Sequence, residues 1–386
     1  MKAISFLGYT KPDQSYRPTT YVYNGQECHT PFMAEATARL FQHEISELLV
    51  LVTAEAFTQN YADLAAAIGD AVPVRPVHIP SGRDESELWA MFGILSDNIQ
   101  AGDQIIFDIT NGFRSLPVLA LLATSFVRVA RGATVERMIY GAFDAQDKAT
   151  NRTPVFDLTP FVRLLDWTAA TDAFLKYGRA DDLAALAAPD PIAGQLRAMS
   201  EALQTSRPAE TMEAALGLDA SVAATRTTAT PAQQPFTLLL DRISTEYSGF
   251  GLRKPREARN AADVLDRQLA VINWYVAKGL YVQAMTSARE WMVSLVVFRT
   301  GGDLFAKGQR GDAERLLNDH PKSPSSLDPA LVPHLDDLRA LWRDARDVRN
   351  SLAHGGMLHD APRARTVIER VPRVCGRLAM FLEPLP

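Results

Sequence analysis

Short apolar runs alternate with helically spaced ones from residue 1 to about 160. Ala3–Gly8, Glu47–Ala54, Val74–Pro80, Gln104–Thr110 and Val135–Phe143 read as strands, the second almost continuous in Leu and Val. Between them, residues 32–45, 60–70, 85–99 and 115–130 place apolar side chains at helical spacing. Unbroken apolar strands separated by helices predict a parallel sheet covered on both faces, a Rossmann-like doubly wound α/β domain. One segment departs from the alternation. Ser15–Thr30 alternates Tyr and Thr around Asn24-Gly25, a β-hairpin signal. Placed after the first strand, this hairpin is expected to overhang the same end of the sheet as the ligand edge.

After Pro154–Trp167 strand signals stop, and helical patterns run to the C-terminus. The expected organisation is an α/β domain over 1–160 and an all-α domain over 161–386. Residues 205–235, rich in Ala, Thr and Pro, are expected to form a surface insertion with some local helix. The basic run Gly251–Asn260 reads as a solvated face, with RNA contact as the alternative.

Open parallel sheets bind ligands beyond the carboxyl ends of their strands. That rule selects Gly8, Tyr9, Thr10, Thr53, Thr110, Asn111, Gly112, Arg114 and Gly141 as candidate ligand-binding residues. The strongest of these stretches is "DITNGFRSLP", Asp108–Pro117. A strand ends at Asp108, a polar turn follows, Ser115 can cap the next helix, and Pro117 falls in its first turn. Helix N-terminal amides, a permissive glycine and Arg114 together suit a phosphate, although a plain capped turn has the same appearance. Neither G-x-G-x-x-G nor G-x-x-x-x-G-K-[ST] occurs, which argues against a conventional dinucleotide or NTP site.

A second candidate lies near the end of the chain. On an ideal helix through His334–Leu352, Leu338, Trp342, Ala345 and Leu352 share about 80° of arc. Arg349 projects into that stripe, and His354 follows five residues on, beside Gly355 and Gly356. An arginine on an apolar face must be paired or used. Imidazole moves protons near neutral pH, arginine holds phosphate bidentately, and Asn350 can orient a water, a phosphate or the histidine. Arg349, His354 and Asn350 are therefore the candidate catalytic residues, arranged to meet across a contact with a second copy of the chain. A second Arg-x4-His spacing, Arg315–His320, runs into Pro321 and reads as coincidence.

Composition narrows the chemistry. The chain has 386 residues, too many for one ordinary core. With 47% hydrophobic and 22% charged residues it reads as soluble and globular. Cys28 and Cys375 form neither a disulfide framework nor a metal-ligand spacing, which fits the cytoplasm and predicts no metal. The N-terminus reads as a first strand, and no run of about 18 uncharged apolar residues predicts a membrane span. A net charge of −5 argues against a broad DNA-binding surface, so no stable DNA complex is expected.

Taken together, these motifs resemble the CRISPR-associated CARF–HEPN ribonucleases of type III systems. "DITNGFR" is similar to the D-x-T-H-G motif of their CARF domains, with Asn111 standing at the motif's histidine. "FLGYT" with the "TTYVYNG" hairpin resembles their N-terminal segment, and "RNSLAH", Arg349–His354, matches the R-x4-H motif of HEPN nucleases in its R-N form. The resemblance implies a homodimer, or a higher oligomer, in which two CARF domains share one cyclic oligoadenylate activator, cyclic tetra-adenylate being favoured. It also implies that paired HEPN domains cut single-stranded RNA without a cofactor, leaving a 2′,3′-cyclic phosphate and a 5′-OH. Two other classes stay in play: a nucleotide-sensing regulator without catalysis, and a toxin-like HEPN nuclease controlled by a protein partner.

Overall fold

The structure, a computed structural model, describes residues 1–382 except 12, 14, 112–115, 229–233, 320–324, 358 and 360. The chain divides into two compact units, Met1–Leu165 and Asp166–Pro386.

The first unit is built on one eight-stranded sheet. Its strands are β1 Lys2–Leu7, β2 Thr19–Tyr23, β3 Gln26–Thr30, β4 Glu47–Val52, β5 Val74–His78, β6 Gln104–Asp108, β7 Thr134–Gly141 and β8 Arg152–Asp157. Their order is β3-β2-β8-β7-β6-β1-β4-β5. β7, β6, β1, β4 and β5 are mutually parallel, and β4 is buried along nearly its whole length, as its apolar run requires. Helices α1 Met33–Leu40, α2 Ala54–Ala56 and α3 Ala62–Ile68 follow β3 and β4, with a π-helical turn, Phe57–Tyr61, between α2 and α3. α1 and α3 bury Met33, Ala36, Leu64 and Ile68 on one face of the sheet. α4 Glu85–Asp97 and α5 Leu116–Arg131 bury Met91, Leu95, Ala123 and Val127 on the other. The doubly wound arrangement is therefore present.

The sheet's far edge is mixed. β8 is antiparallel to β7, β2 is parallel to β8, and β3 is antiparallel to β2. This corrects the expected position of the hairpin. β2 runs away from the carboxyl ends of the parallel strands, so the Asn24-Gly25 turn lies at the opposite end of the sheet. What reaches the ligand edge from the lead-in to β2 is Tyr16, whose hydroxyl meets Gly8. Asn24 and Gly25 take positive φ values of 47° and 81°, as a tight hairpin turn demands.

The second unit is helical: α6 Thr159–Tyr177 (entering from the first unit), α7 Asp181–Ala187, α8 Ile192–Gln204, α9 Pro208–Thr228, α10 Gln234–Tyr247, α11 Ala261–Ala277, α12 Tyr281–Arg299, α13 Lys307–Asn318, α14 Leu335–Ala353 and α15 Ala364–Gly376. α12 is its axis, buried almost all round through Met285, Trp291, Met292 and Val296. Buried polar tips are satisfied: the Tyr247 hydroxyl donates to the Phe174 carbonyl at 2.6 Å, and the Trp291 indole to that of Leu265 at 2.9 Å. The expected surface insertion at 205–235 is corrected here. α9 seats Met212, Ala215, Leu218 and Val222 in the core, a stripe at spacings of three and four residues that the Ala- and Thr-rich text conceals. Among the described residues no helix is long and apolar enough to cross a membrane.

Candidate functional site

β5 and β4 lie on one side of β1, and β6 and β7 on the other. The chain reverses its winding direction between β1 and β6, so the crevice of the sheet opens where those two strands end. A buried carboxylate organises it. Asp108 is fully enclosed, and its Oδ2 accepts from Ser5 Oγ across the β1–β6 pairing at 2.5 Å. Its Oδ1 accepts the Thr110 N–H at 2.9 Å and the Thr110 hydroxyl at 2.5 Å. Burial pushes the Asp108 carboxyl above the usual carboxylate range, against the pull of those hydrogen bonds. Thr110 Oγ1 in turn accepts the Gly141 N–H at 2.8 Å, tying β7 to the same turn.

The β1 side is latched by residues that the strand-end rule does not select. The Gly8 carbonyl accepts from the Tyr16 hydroxyl at 3.0 Å and from Asn60 Nδ2 at 2.9 Å, while the Thr10 hydroxyl donates to Asn60 Oδ1 at 3.0 Å. Asn60 is buried and belongs to the π-helical turn, a distortion that turns its amide toward the β1 loop. Tyr16 comes from the lead-in to β2. Neither residue carries a sequence signal: an asparagine in a helical stretch and a tyrosine before a hairpin are both common. Asn60→Ala is expected to release Thr10 and half of the Gly8 anchorage. The expected loss of stability is about 1 kcal/mol, from the half-buried Gly8 and Thr10 groups left short of a partner. Urea unfolding checks it, and an unchanged midpoint would mean that the Asn60 amide does not hold the β1 loop.

The predicted residues thus divide. Gly8, Tyr9, Thr10, Thr110 and Asn111 converge on the crevice, with Tyr9 half exposed and the Asn111 backbone close against Gly8. Among the described residues the Asn111 side-chain amide has no hydrogen-bond partner. Gly141 is there for space, since a Cβ would lie 3.0 Å from both Met33 Sδ and Tyr21 Cε1. Thr53 is buried just past the end of β4 and spends its hydroxyl as the N-cap of α2, accepting the Ala56 N–H at 3.2 Å. Gly112, Arg114 and Ser115 lie outside the described residues, as does His320.

At the other candidate site, α14 ends as its text predicts. His354 is the C-cap, its N–H bonded to the Asn350 carbonyl at 2.9 Å, and Gly355 and Gly356 follow at φ 61° and 70°. Arg349 departs from expectation. The buried face comprises Leu338, Leu341, Trp342, Ala345 and Val348, while Arg349 is exposed. Its angular position lies within the stripe, and Leu352 beyond it still packs against the core, yet the Arg349 side chain itself is exposed. Arg349 Nη1 donates to Asn350 Oδ1 at 3.2 Å, and among the described residues no carboxylate lies within 4 Å of it. His354 is exposed too, and no hydrogen bond joins it to Arg349 among the described residues. Both cysteine thiols are buried and pushed up, Cys28 to about 11 and Cys375 to about 12, which removes them as nucleophiles.

Comparison with known proteins places these features. Residues 2–144 match the family model for the CARF domain of the CRISPR system endoribonuclease Csx1. Residues 163–250 match the second domain of the CRISPR-associated protein MJ1674. MJ1674 of Methanocaldococcus jannaschii is 30% identical over 103 residues, which make up 26% of this chain and 16% of that protein. The chain therefore matches about a sixth of that relative's length. Enterococcus italicus Csm6, solved bound to cyclic hexa-2′-fluoro-hexa-dAMP, aligns with a TM-score of 0.45 at 10% identity, covering 99% of this chain and 93% of its own. Neither family match extends to Arg349–His354.

Proposed function

We propose that this chain, one of the CARF-containing proteins of type III CRISPR systems, is an endoribonuclease switched on by a cyclic oligoadenylate. The observation that carries the reading is the end of α14. An arginine with no carboxylate partner among the described residues and a histidine stand exposed within one turn and a half, on a chain whose other unit has a crevice at the β1–β6 switch point. In this reading the helical unit is a HEPN nuclease domain and the working form is a homodimer.

Two features support the dimer in this reading. Arg349 and His354 are about 140° apart round the helix, so one copy does not bring both onto a single phosphate. Two copies related by a two-fold axis supply two of each. On the first unit, α4 and α5 leave Trp89, Leu122, Phe126 and Val129 between 50% and 91% exposed, a surface that a second copy would bury.

The chemistry is transfer within the RNA itself. One His354 imidazole takes the proton of a ribose 2′-OH, the 2′ oxygen bonds to the adjacent phosphorus, and the bond to the 5′ oxygen breaks. The second copy's His354 returns a proton to that oxygen. Arg349 steadies the charge that grows on the non-bridging oxygens. A 2′,3′-cyclic phosphate and a 5′-OH result, with no metal in any step. The ligand acts by binding the active arrangement of the dimer more tightly than the resting one.

The nature of the cut ends tests this reading. A labelled single-stranded RNA should give 5′-OH and 2′,3′-cyclic phosphate products, and a 2′-deoxy substitution at the scissile nucleotide should block scission there. Cleavage of that deoxy substrate, or products bearing a 5′-phosphate, would refute the mechanism.

A further inference from the structure

The chain is acidic, but its charge is unevenly placed. From Arg339 to Arg377 nine arginines stand against four acids, Asp344, Asp347, Asp360 and Glu369, a net of +5 in a chain whose total is −5. Several of these arginines have structural duties. Arg339 holds the Leu316 carbonyl and Asp319, Arg346 lies beside Asp347, Arg365 pairs with Glu369, and Arg377 pairs with Asp344. Arg343, Arg349, Arg363, Arg370 and Arg373 do not. Among the described residues none of these five has a carboxylate within 4 Å, and all but half-buried Arg370 are exposed.

Their placement follows from helix geometry. On α15, Val367, Val371, Val374 and Cys375 are the buried face. Arg370, Arg373 and Arg377 fall within about 60° of one another, immediately beside it. The Arg377 Nη1–Asp344 Oδ2 bond of 3.2 Å sets the C-terminal end of α15 against the middle of α14. Taken with the packing of α15 on α14, that bond fits an antiparallel run of the two helices. Arg370 is seven residues from Arg377, and Ser351 is seven residues from Asp344, both toward the connecting loop. At about 1.5 Å per residue, Arg370 comes abreast of Ser351, between Arg349 and His354 in height along the helix.

We infer that Arg370 and Arg373 form a phosphate track which holds single-stranded RNA on either side of the bond cut at Arg349 and His354. This rests on the nuclease reading for its purpose, but its physical content is separate: two positioning arginines, each neutralising one backbone phosphate. The occupant is argued from charge. Arginines with no carboxylate beside them among the described residues, in a strongly basic stretch of an acidic protein and continuous with the proposed phosphate-chemistry site, call for a polyanion that must reach that site.

The test is binding, read apart from cleavage. Full-length His354→Ala protein and the same protein carrying Arg370→Gln and Arg373→Gln are titrated with a fluorescein-labelled single-stranded RNA at several salt concentrations, with cyclic tetra-adenylate present throughout. The track predicts that the double glutamine change weakens binding about 10-fold at low salt. It also predicts that log K against log salt becomes shallower by about 1.4, since each single-strand phosphate contact contributes about 0.7. Arg370→Lys with Arg373→Lys should restore most of the slope, which a merely structural role would not do. Equal affinity and equal slope in the glutamine variant would overturn the inference. If the native protein cut no RNA but the slope still changed, the nuclease reading would fail and the track would stand. If cleavage occurred and the slope stayed fixed, the track alone would fail.

Discussion

Replacing His354 with alanine is expected to lower the single-turnover rate of RNA scission about 1000-fold while leaving the fold and activator binding intact. The size follows from the task. A positioned acid or base contributes on the order of 100- to 10,000-fold, and in a two-copy site the substitution removes both. The side chain is exposed at a helix C-cap and its backbone makes the capping bonds, so stability should change by less than about 0.5 kcal/mol. Arg349→Ala should cost about 100-fold, and Arg349→Lys should recover only part of it, because a point charge does not reproduce the fork on phosphate. The double variant should be scarcely worse than His354→Ala, as residues that act in one step are not additive. Single-turnover rates with an excess of dimer measure all four. A His354→Ala protein with native activity would remove the catalytic assignment altogether.

The second large effect concerns the crevice. Asp108→Ala strips the acceptor from Ser5 Oγ and from both Thr110 donors in a fully buried place. Leaving such groups unsatisfied is expected to cost about 3 kcal/mol, roughly a 100-fold shift in the unfolding equilibrium, and, on the proposed function, to weaken activator binding as well. Asp108→Asn isolates the charge. Burial raises this carboxyl in the folded state. Its contribution is thus complete below the unfolded value of about 3.9 and is lost as pH rises through the folded value. The advantage of Asp over Asn at this position should therefore be largest near pH 4 and shrink toward pH 7. Urea unfolding at a series of pH values reads it. An advantage that grew with pH would mean that the folded state holds the carboxylate charged.

How far the sequence foretold this molecule depends on what each residue needed from others. β4 was legible because a run of Leu and Val buried on both faces needs no partner to be recognised. The β2–β3 hairpin was legible in its Asn24-Gly25 turn, but its direction was not, since pairing with β8 depends on residues 132 positions away. β8 itself contains Pro154, which weakens any strand pattern. On α14 the angle of Arg349 was readable and its exposure was not, because burial is decided by which neighbour reaches the last turn. α9 was hidden by composition: alanines and threonines supply a narrow stripe that looks like linker text. The strand-end rule selects Thr110 and Gly8, which the fold brings together at the crevice. Asn60 was missed because a π-helical turn has no spacing signature.

The central claim is that small-molecule capture at the β1–β6 crevice releases RNA scission at Arg349 and His354. It is tested most directly by the rate at which one defined single-stranded RNA is cut, with and without saturating cyclic oligoadenylates of three to six units. At least a 100-fold acceleration by one ring size, abolished in His354→Ala, is the predicted result. A rate indifferent to every ring would contradict the account.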